Sequence, residues 1–239
     1  MLEGMADPLQ VDALTVDRLA ARIDHAVLAP DHTLTDVEVA CAEAVAYGFA
    51  AVTVPPYDIV RVARRLVGTD VAAGGAVGLP FGHSGLKAKR TEARTCVRAG
   101  ADEIEMVINL TAVKSGQFGD VRDEIAAVRR IAEGLVLTVI LECCRLTDDE
   151  TVRACWLALE AGADLIETST GFAGRGATAH DVALVQRTVG DGAGVKATGG
   201  IRTFERVRQM FEAGAVRIGT GAGVAIVRDF EQQQQSRVN

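Results

Sequence analysis

Three charged residues stand inside apolar runs that otherwise read as buried strands: Glu105 in EIEMVIN, Glu167 in LIETS and Lys196 in GVKAT. A charge inside an apolar strand is costly unless it is paired or hydrogen-bonded. Two carboxylates and an amine brought to one place can do acid–base work. Crowded carboxylates do not all ionise, so one keeps its proton as an acid, and an ammonium steadies developing negative charge. Such a set suits proton abstraction beside a carbonyl, dehydration, cyclisation, or an aldol step. Asp24 and Glu142 stand at two further strand ends and could join it. With all five in one mouth, four carboxylates would face one ammonium, a formal charge of −3. Each residue also has a plainer reading. Glu105 could turn outward to a helix, Glu142 could hold up neighbouring polar groups, Lys196 could only neutralise charge, and Asp24 could orient a neighbour.

The elements that must position these groups follow one rhythm. Short apolar runs alternate with helical patterns at the spacing of a βα unit. The strands are read at 22–28, 50–54, 74–80, 103–109, 135–142, 165–169, 194–198 and 216–220. Between them lie amphipathic stretches such as TLTDVEVACAEAVAYG, KAKRTEARTCVRAG, DDETVRACWLALEAG and TFERVRQMFEAG. Their terminal glycines suit helix ends, and LTDDE and RTFE suit helix starts. An α/β fold with eight such units is a (β/α)₈ TIM barrel, in which the site lies at the C-terminal ends of the strands. The polar residues collected there are Asp24, His25, Thr53, His83, Ser84, Lys89, Glu105, Asn109, Glu142, Glu167 and Lys196. The expected layout is one domain over 1–239: an extra N-terminal helix at about 9–21, the barrel at about 20–228, and a disordered polar tail at about 229–239.

Glycine-rich turns supply candidate substrate contacts. Gly199 and Gly200 in TGGIRT and Gly221 and Ala222 in GTGAG follow the last two strands, where barrels meet phosphate with backbone N–H groups and a helix N-terminus. Thr170 and Gly171, in the polar loop after strand six, join them. The plainer reading is tight turns with no ligand.

Composition narrows the rest. The chain has 239 residues, 49% of them hydrophobic and 4% aromatic, which suits small-residue packing of helices on strands. A net charge of −7 with no sustained basic stretch excludes nucleic acid as the expected partner. No apolar run is long enough to span a membrane. Five cysteines with no C-x-x-C pair argue against a disulfide framework or a zinc site, and a reducing cytoplasm is the expected setting, with no signal peptide opening the chain. A small-molecule substrate is the expected partner, with a homodimer as the common assembly of such barrels.

Several stretches carry a more specific signal: IDHAVLAPDHT, GLPFGHSGLKAKRTEA, GADEIEMVINLTAVKSG, GADLIETSTGF, GVKATGGIRT and AGAVRIGTGAGVAIV. Over about residues 20 to 228 the chain resembles the deoxyribose-phosphate aldolase family. The resemblance implies a (β/α)₈ barrel that reversibly cleaves 2-deoxyribose 5-phosphate to acetaldehyde and glyceraldehyde 3-phosphate. It implies an imine on a lysine, with neither metal nor organic cofactor. In the family's KTSTGF that lysine stands where this chain has Glu167. A carboxylate cannot form an imine. The family's second lysine is kept as Lys196, and its proton-shuttling aspartate reads Glu105. Its DHT reads Asp24-His25-Ala26, its lysine before the proline reads Ala29, and its VNP reads Val54-Pro55-Pro56. Its GTSSG serines read Gly221 and Ala222, whereas Lys89 and Glu92 keep its K-x-x-E spacing. Lys89 therefore joins Glu142 as a supporting residue.

The departures gather at the site while the scaffold is kept. The first functional expectation is a diverged aldolase-like enzyme acting on a small carbonyl or sugar-derived substrate, phosphorylated or not, by acid–base catalysis with Glu105, Glu167, Lys196 and Asp24. A second keeps the aldolase reaction and moves the imine to Lys196, against which adjacent carboxylates favour the ammonium form. A third is a non-catalytic barrel that binds a small cationic ligand, with Mg²⁺ on the carboxylates as a variant that Lys196 disfavours.

Overall fold

Residues Ile23–Ala26 form a short apolar strand (β1) that pairs in parallel with Ala51–Val54 (β2) on one side and Arg217–Thr220 (β8) on the other. Parallel pairing continues through Ala72–Val77 (β3), Glu103–Val107 (β4), Val136–Ile140 (β5), Leu165–Glu167 (β6) and Gly194–Thr198 (β7) until the sheet closes. The computed structural model describes residues 13–238, and its fold is the expected (β/α)₈ barrel. Every strand overlaps the apolar run that places it, although β3 begins two residues before its run. Most end earlier than the runs do, and after β4, β5 and β6 a polar residue follows within two positions. Asn109 caps a short helix, Leu110–Lys114 (α5), by accepting from the Ala112 N–H at 3.2 Å. Glu142 leaves β5 in the left-handed region, with φ 58°.

The connecting helices are Leu34–Tyr47 (α2), Ile59–Leu66 (α3), Leu86–Ala99 (α4), Phe118–Ile131 (α6), Asp148–Glu160 (α7), Ala179–Val189 (α8) and Phe204–Glu212 (α9). Thr33, Thr147 and Thr178 open α2, α7 and α8 with reciprocal capping boxes to Asp36, Glu150 and Asp181. Each box satisfies two backbone donors that a bare helix start would leave orphaned. The expected N-terminal helix is present as Val16–Ala20 (α1), and residues 9–12 of its expected range lie outside the described residues.

The tail departs from expectation. Instead of a disordered segment from about 229, a helix runs Gly223–Val238 (α10). Phe230 is buried in the core and tilts against Phe204 with 4.5 Å between ring centres. Gln233 donates to Asp229 at 3.0 Å, one turn back. Glutamine and glutamate are good helix formers, so a polar run behind a buried anchor extends the helix instead of fraying.

Alternation within the strands sorts side chains onto two faces. Ile23, Ile104, Met106, Val195, Ala197 and Ile218 pack in the apolar layer under the helices. Their neighbours Asp24, Glu103, Glu105, Lys196 and Arg217 are buried together, contacting one another across the barrel's interior. The barrel therefore has an apolar outer core and a charged inner one.

Candidate active site

Lys196 is the centre of the inner core. It projects from the middle of β7, with only 1% of the residue exposed. Its Nζ lies 2.7 Å from Glu105 Oε1, 2.8 Å from Asp24 Oδ2 and 3.2 Å from Glu167 Oε2. Only the Glu105 contact is an aligned hydrogen bond; the other two are ionic contacts off the donor directions. Glu105 Oε1 also accepts from Thr53 Oγ1 at 2.8 Å. Four elements thus meet: β1 brings Asp24, β4 Glu105, β6 Glu167 and β7 Lys196. Register explains part of this, since Glu167 stands directly beside Lys196. Gly219 of β8 explains another part. A Cβ there would lie 2.6 Å from Thr198 Oγ1 and 3.0 Å from Lys196 Cε, so glycine leaves the lysine its room.

A second cation lies beneath. Arg217 donates from Nε to Asp24 Oδ1 at 2.9 Å, adds a second contact to the same oxygen from Nη2, and donates from Nη1 to Glu103 Oε1 at 2.9 Å. Neither Arg217 nor Glu103 was among the expected site residues. A signal for both existed: Glu103 and Glu105 are two apart in one strand and so share a face, and Arg217 is two before Gly219.

The charges decide the protonation states. Four carboxylates, Asp24, Glu103, Glu105 and Glu167, face two cations, so full ionisation would bury an excess of two negative charges. Burial pushes Glu167 up to about 8 against the pull of Lys196, with Glu105 adding to the rise. Burial also raises Glu103, with Arg217 opposing. Asp24 feels the same burial, but Arg217 and then Lys196 outweigh it and hold it low. Burial alone would take the proton from Lys196; Asp24, Glu105 and Glu167 together hold it well above its ordinary range. The arrangement at neutral pH is a protonated Glu167, an ammonium on Lys196 and an ionised Asp24.

The other expected residues divide. Glu142 is buried but does not join the Lys196 cluster. It accepts from the Thr170 N–H at 3.1 Å and from the Thr170 hydroxyl, fixing the loop after β6. Thr170 lines the same small cavity as Asp24, Glu105, Glu167 and Lys196. Lys89, expected as a supporting residue, lies apart from the Lys196 cluster. It sits on α4, donates to the Val107 carbonyl at 2.8 Å and to both oxygens of Glu124 on α6 at 3.0 and 2.9 Å, and ties helices together outside the barrel. His25 also faces outward, 3.1 Å from Glu43 of α2. Gly171, Gly200 and Gly221 lie exposed at the loops above the strands, and Gly199 and Ala222 are half-buried there. Asp24, Glu103 and Glu105 could bring one oxygen each within 4.8 Å of one another around a cation, but Arg217 and Lys196 already supply that charge.

The cavity above Lys196 is about 10 Å³, close to the space of a single water. Leu28 and Leu79 are among its half-buried walls, with Ala26 and Thr198. A site this dry makes each charge contact stronger than it would be in water.

Comparison with known proteins agrees with this architecture. The DeoC/LacD family aldolase pattern matches residues 18–233. A protein named deoxyribose-phosphate aldolase from Brevibacillus brevis is 47% identical over 205 residues, 86% of this chain and 93% of that one. Another of the same name from Rhodospirillum rubrum is 49% identical over 213 residues, 89% and 90% of the two chains. A tetrameric deoxyribose phosphate aldolase from Aeropyrum pernix superposes with a TM-score of 0.87 at 31% identity, covering 97% of both chains.

Proposed function

Because the chain belongs to the DeoC/LacD aldolase family, we propose that it is an aldolase-like enzyme that works by acid–base catalysis. Its substrate in this reading is a small carbonyl or sugar-derived compound. The observation that carries the proposal is Glu167: a fully buried carboxyl, pushed up to about 8, in contact with the Lys196 ammonium. Glu105 takes a proton from the carbon beside the substrate carbonyl. Glu167 gives its proton to the carbonyl oxygen, and an enol forms. Lys196 keeps its proton throughout and offsets the charge gained by Glu167. The enol then returns its O–H proton to Glu167 as it adds to a second carbonyl, whose oxygen takes the proton held by Glu105, or as it expels a β-hydroxyl, which leaves as water with that proton. Asp24 holds Lys196 in place. Leu28 and Leu79 move aside to admit the substrate and then keep water out.

The same contacts weigh against an imine on Lys196, because an amine in contact with Asp24, Glu105 and the Glu167 carboxyl stays an ammonium. If the substrate is phosphorylated, Thr170 and Gly171 and the turns Gly199-Gly200 and Gly221-Ala222 are where it would meet backbone N–H groups, near the starts of α9 and α10. A homodimer belongs to the same reading; exposed Val39 and Val45 on α2 and Val60 on α3 give it an apolar surface.

The test is proton exchange. Small aldehydes and ketones, including phosphorylated sugars, are incubated with the protein in D₂O and followed by NMR. Exchange at the carbon beside the carbonyl, abolished in Glu167→Gln while the circular dichroism spectrum is unchanged, is the expected result. Exchange that survives in Glu167→Gln removes Glu167 from the reaction.

A further inference from the structure

Arg217 has no place in the reaction just described, yet it is buried within the inner core. It is held on one side by Asp24 and on the other by Glu103. Asp24 is shared: Oδ1 faces the Arg217 guanidinium and Oδ2 faces the Lys196 ammonium. The guanidinium places two nitrogens on one oxygen of Asp24. That leaves the other oxygen for Lys196 at 2.8 Å, and leaves Lys196 within reach of Glu105 and Glu167.

We propose that Arg217 is a positioning residue for the acid–base site: by holding Asp24 it governs how much of the Lys196 charge reaches Glu167. The inference rests on the proposed role of Glu167 as the acid. The groups around that carboxyl are the ones the argument needs: Lys196 from β7, Glu105 from β4, Asp24 from β1 and Arg217 from β8, with Glu103 facing Arg217 from the far side. Without Arg217, Asp24 loses its partner and draws the ammonium toward itself. Less of that charge then reaches Glu167, which holds its proton to higher pH. Glu103 anchors the far end of the guanidinium.

Removing Arg217 alone would leave two buried carboxyl groups, Asp24 and Glu103, without their shared cation, so each of two double variants removes one of them as well. Glu103→Gln/Arg217→Gln removes Arg217 and its outer partner but leaves Asp24. Asp24→Asn/Arg217→Gln removes Arg217 together with Asp24. Infrared titration of carboxyl-labelled protein, with Glu167→Gln backgrounds for assignment, reads the Glu167 carboxyl in each. The proposal expects the first variant to titrate about one pH unit above the wild-type chain, and the second at or below it. Equal titration in the two double variants overturns it, because Arg217 would then not act through Asp24. The wild-type titration is a separate reading. A Glu167 that ionises near its ordinary value of 4.5 defeats the acid–base role. The difference between the double variants still decides the role of Arg217.

Discussion

Replacing Glu167 by glutamine keeps the shape of the side chain and removes its titration, which should change how the fold responds to pH. In the folded chain the carboxyl is lifted from 4.5 to about 8. Between those values the folded chain holds a proton that the unfolded chain has released. The raised value therefore stabilises the fold fully below pH 4.5, and that contribution is lost as pH rises through about 8. Each pH unit of the interval is worth about 1.4 kcal/mol, so the wild-type chain loses about 5 kcal/mol across it relative to the glutamine variant. Urea unfolding of both proteins between about pH 5 and 9 measures this directly. The difference in unfolding free energy should move steadily in favour of Glu167→Gln as pH rises, then level off above about pH 8. Parallel stability curves over the whole range would refute the reasoning, because they would mean that Glu167 ionises alike in the folded and unfolded chains.

Three other perturbations test neighbouring parts of the account. Lys196→Met leaves Asp24, Glu105 and Glu167 facing one another without an ammonium and should cost about 3–5 kcal/mol, seen as a lower urea midpoint; an unchanged midpoint would contradict the pairing. Lys89→Met should cost a similar amount, about 3–5 kcal/mol, by stranding Glu124, yet leave the infrared titration of Glu167 where it was. Gly219→Ala presses a methyl against Thr198 and Lys196 and should cost about 1–3 kcal/mol with a shifted Glu167 titration; a neutral effect on both would show that Lys196 does not need that space.

The barrel was legible because each strand is a short apolar run ended by polar or glycine residues, and each helix announces its caps. The cluster was legible for the same reason: a charge inside such a run has to be matched by another, and Glu105, Glu167 and Lys196 match each other. Two contacts went unread for one physical cause, which is contact between residues far apart in the chain. Lys89 on α4 meets Glu124 on α6 across 35 residues, and nothing local in either helix marks the pair. Arg217 meets Asp24 across 193 residues, and its run VRIGT looks like an ordinary strand start. Glu142, expected as a supporting residue, accepts from Thr170 out of a left-handed backbone, and that conformation has no sequence mark on a non-glycine residue. The tail was misread from composition alone, because a polar run reads as disorder until the buried Phe230 ahead of it is counted as an anchor.

Borohydride trapping tests the central claim most directly. The wild-type chain is incubated with acetaldehyde and, separately, with deoxyribose 5-phosphate, then reduced and read by intact mass and peptide map. Glu167→Lys, which puts an amine at the strand end beside Lys196, is treated in parallel. The account predicts no adduct on Lys196 of the wild-type chain, and an adduct at position 167 of the variant. An adduct mapped to Lys196 in the wild-type chain would contradict it: the lysine would be a nucleophile, and the carboxylates around it would not be holding it as an ammonium.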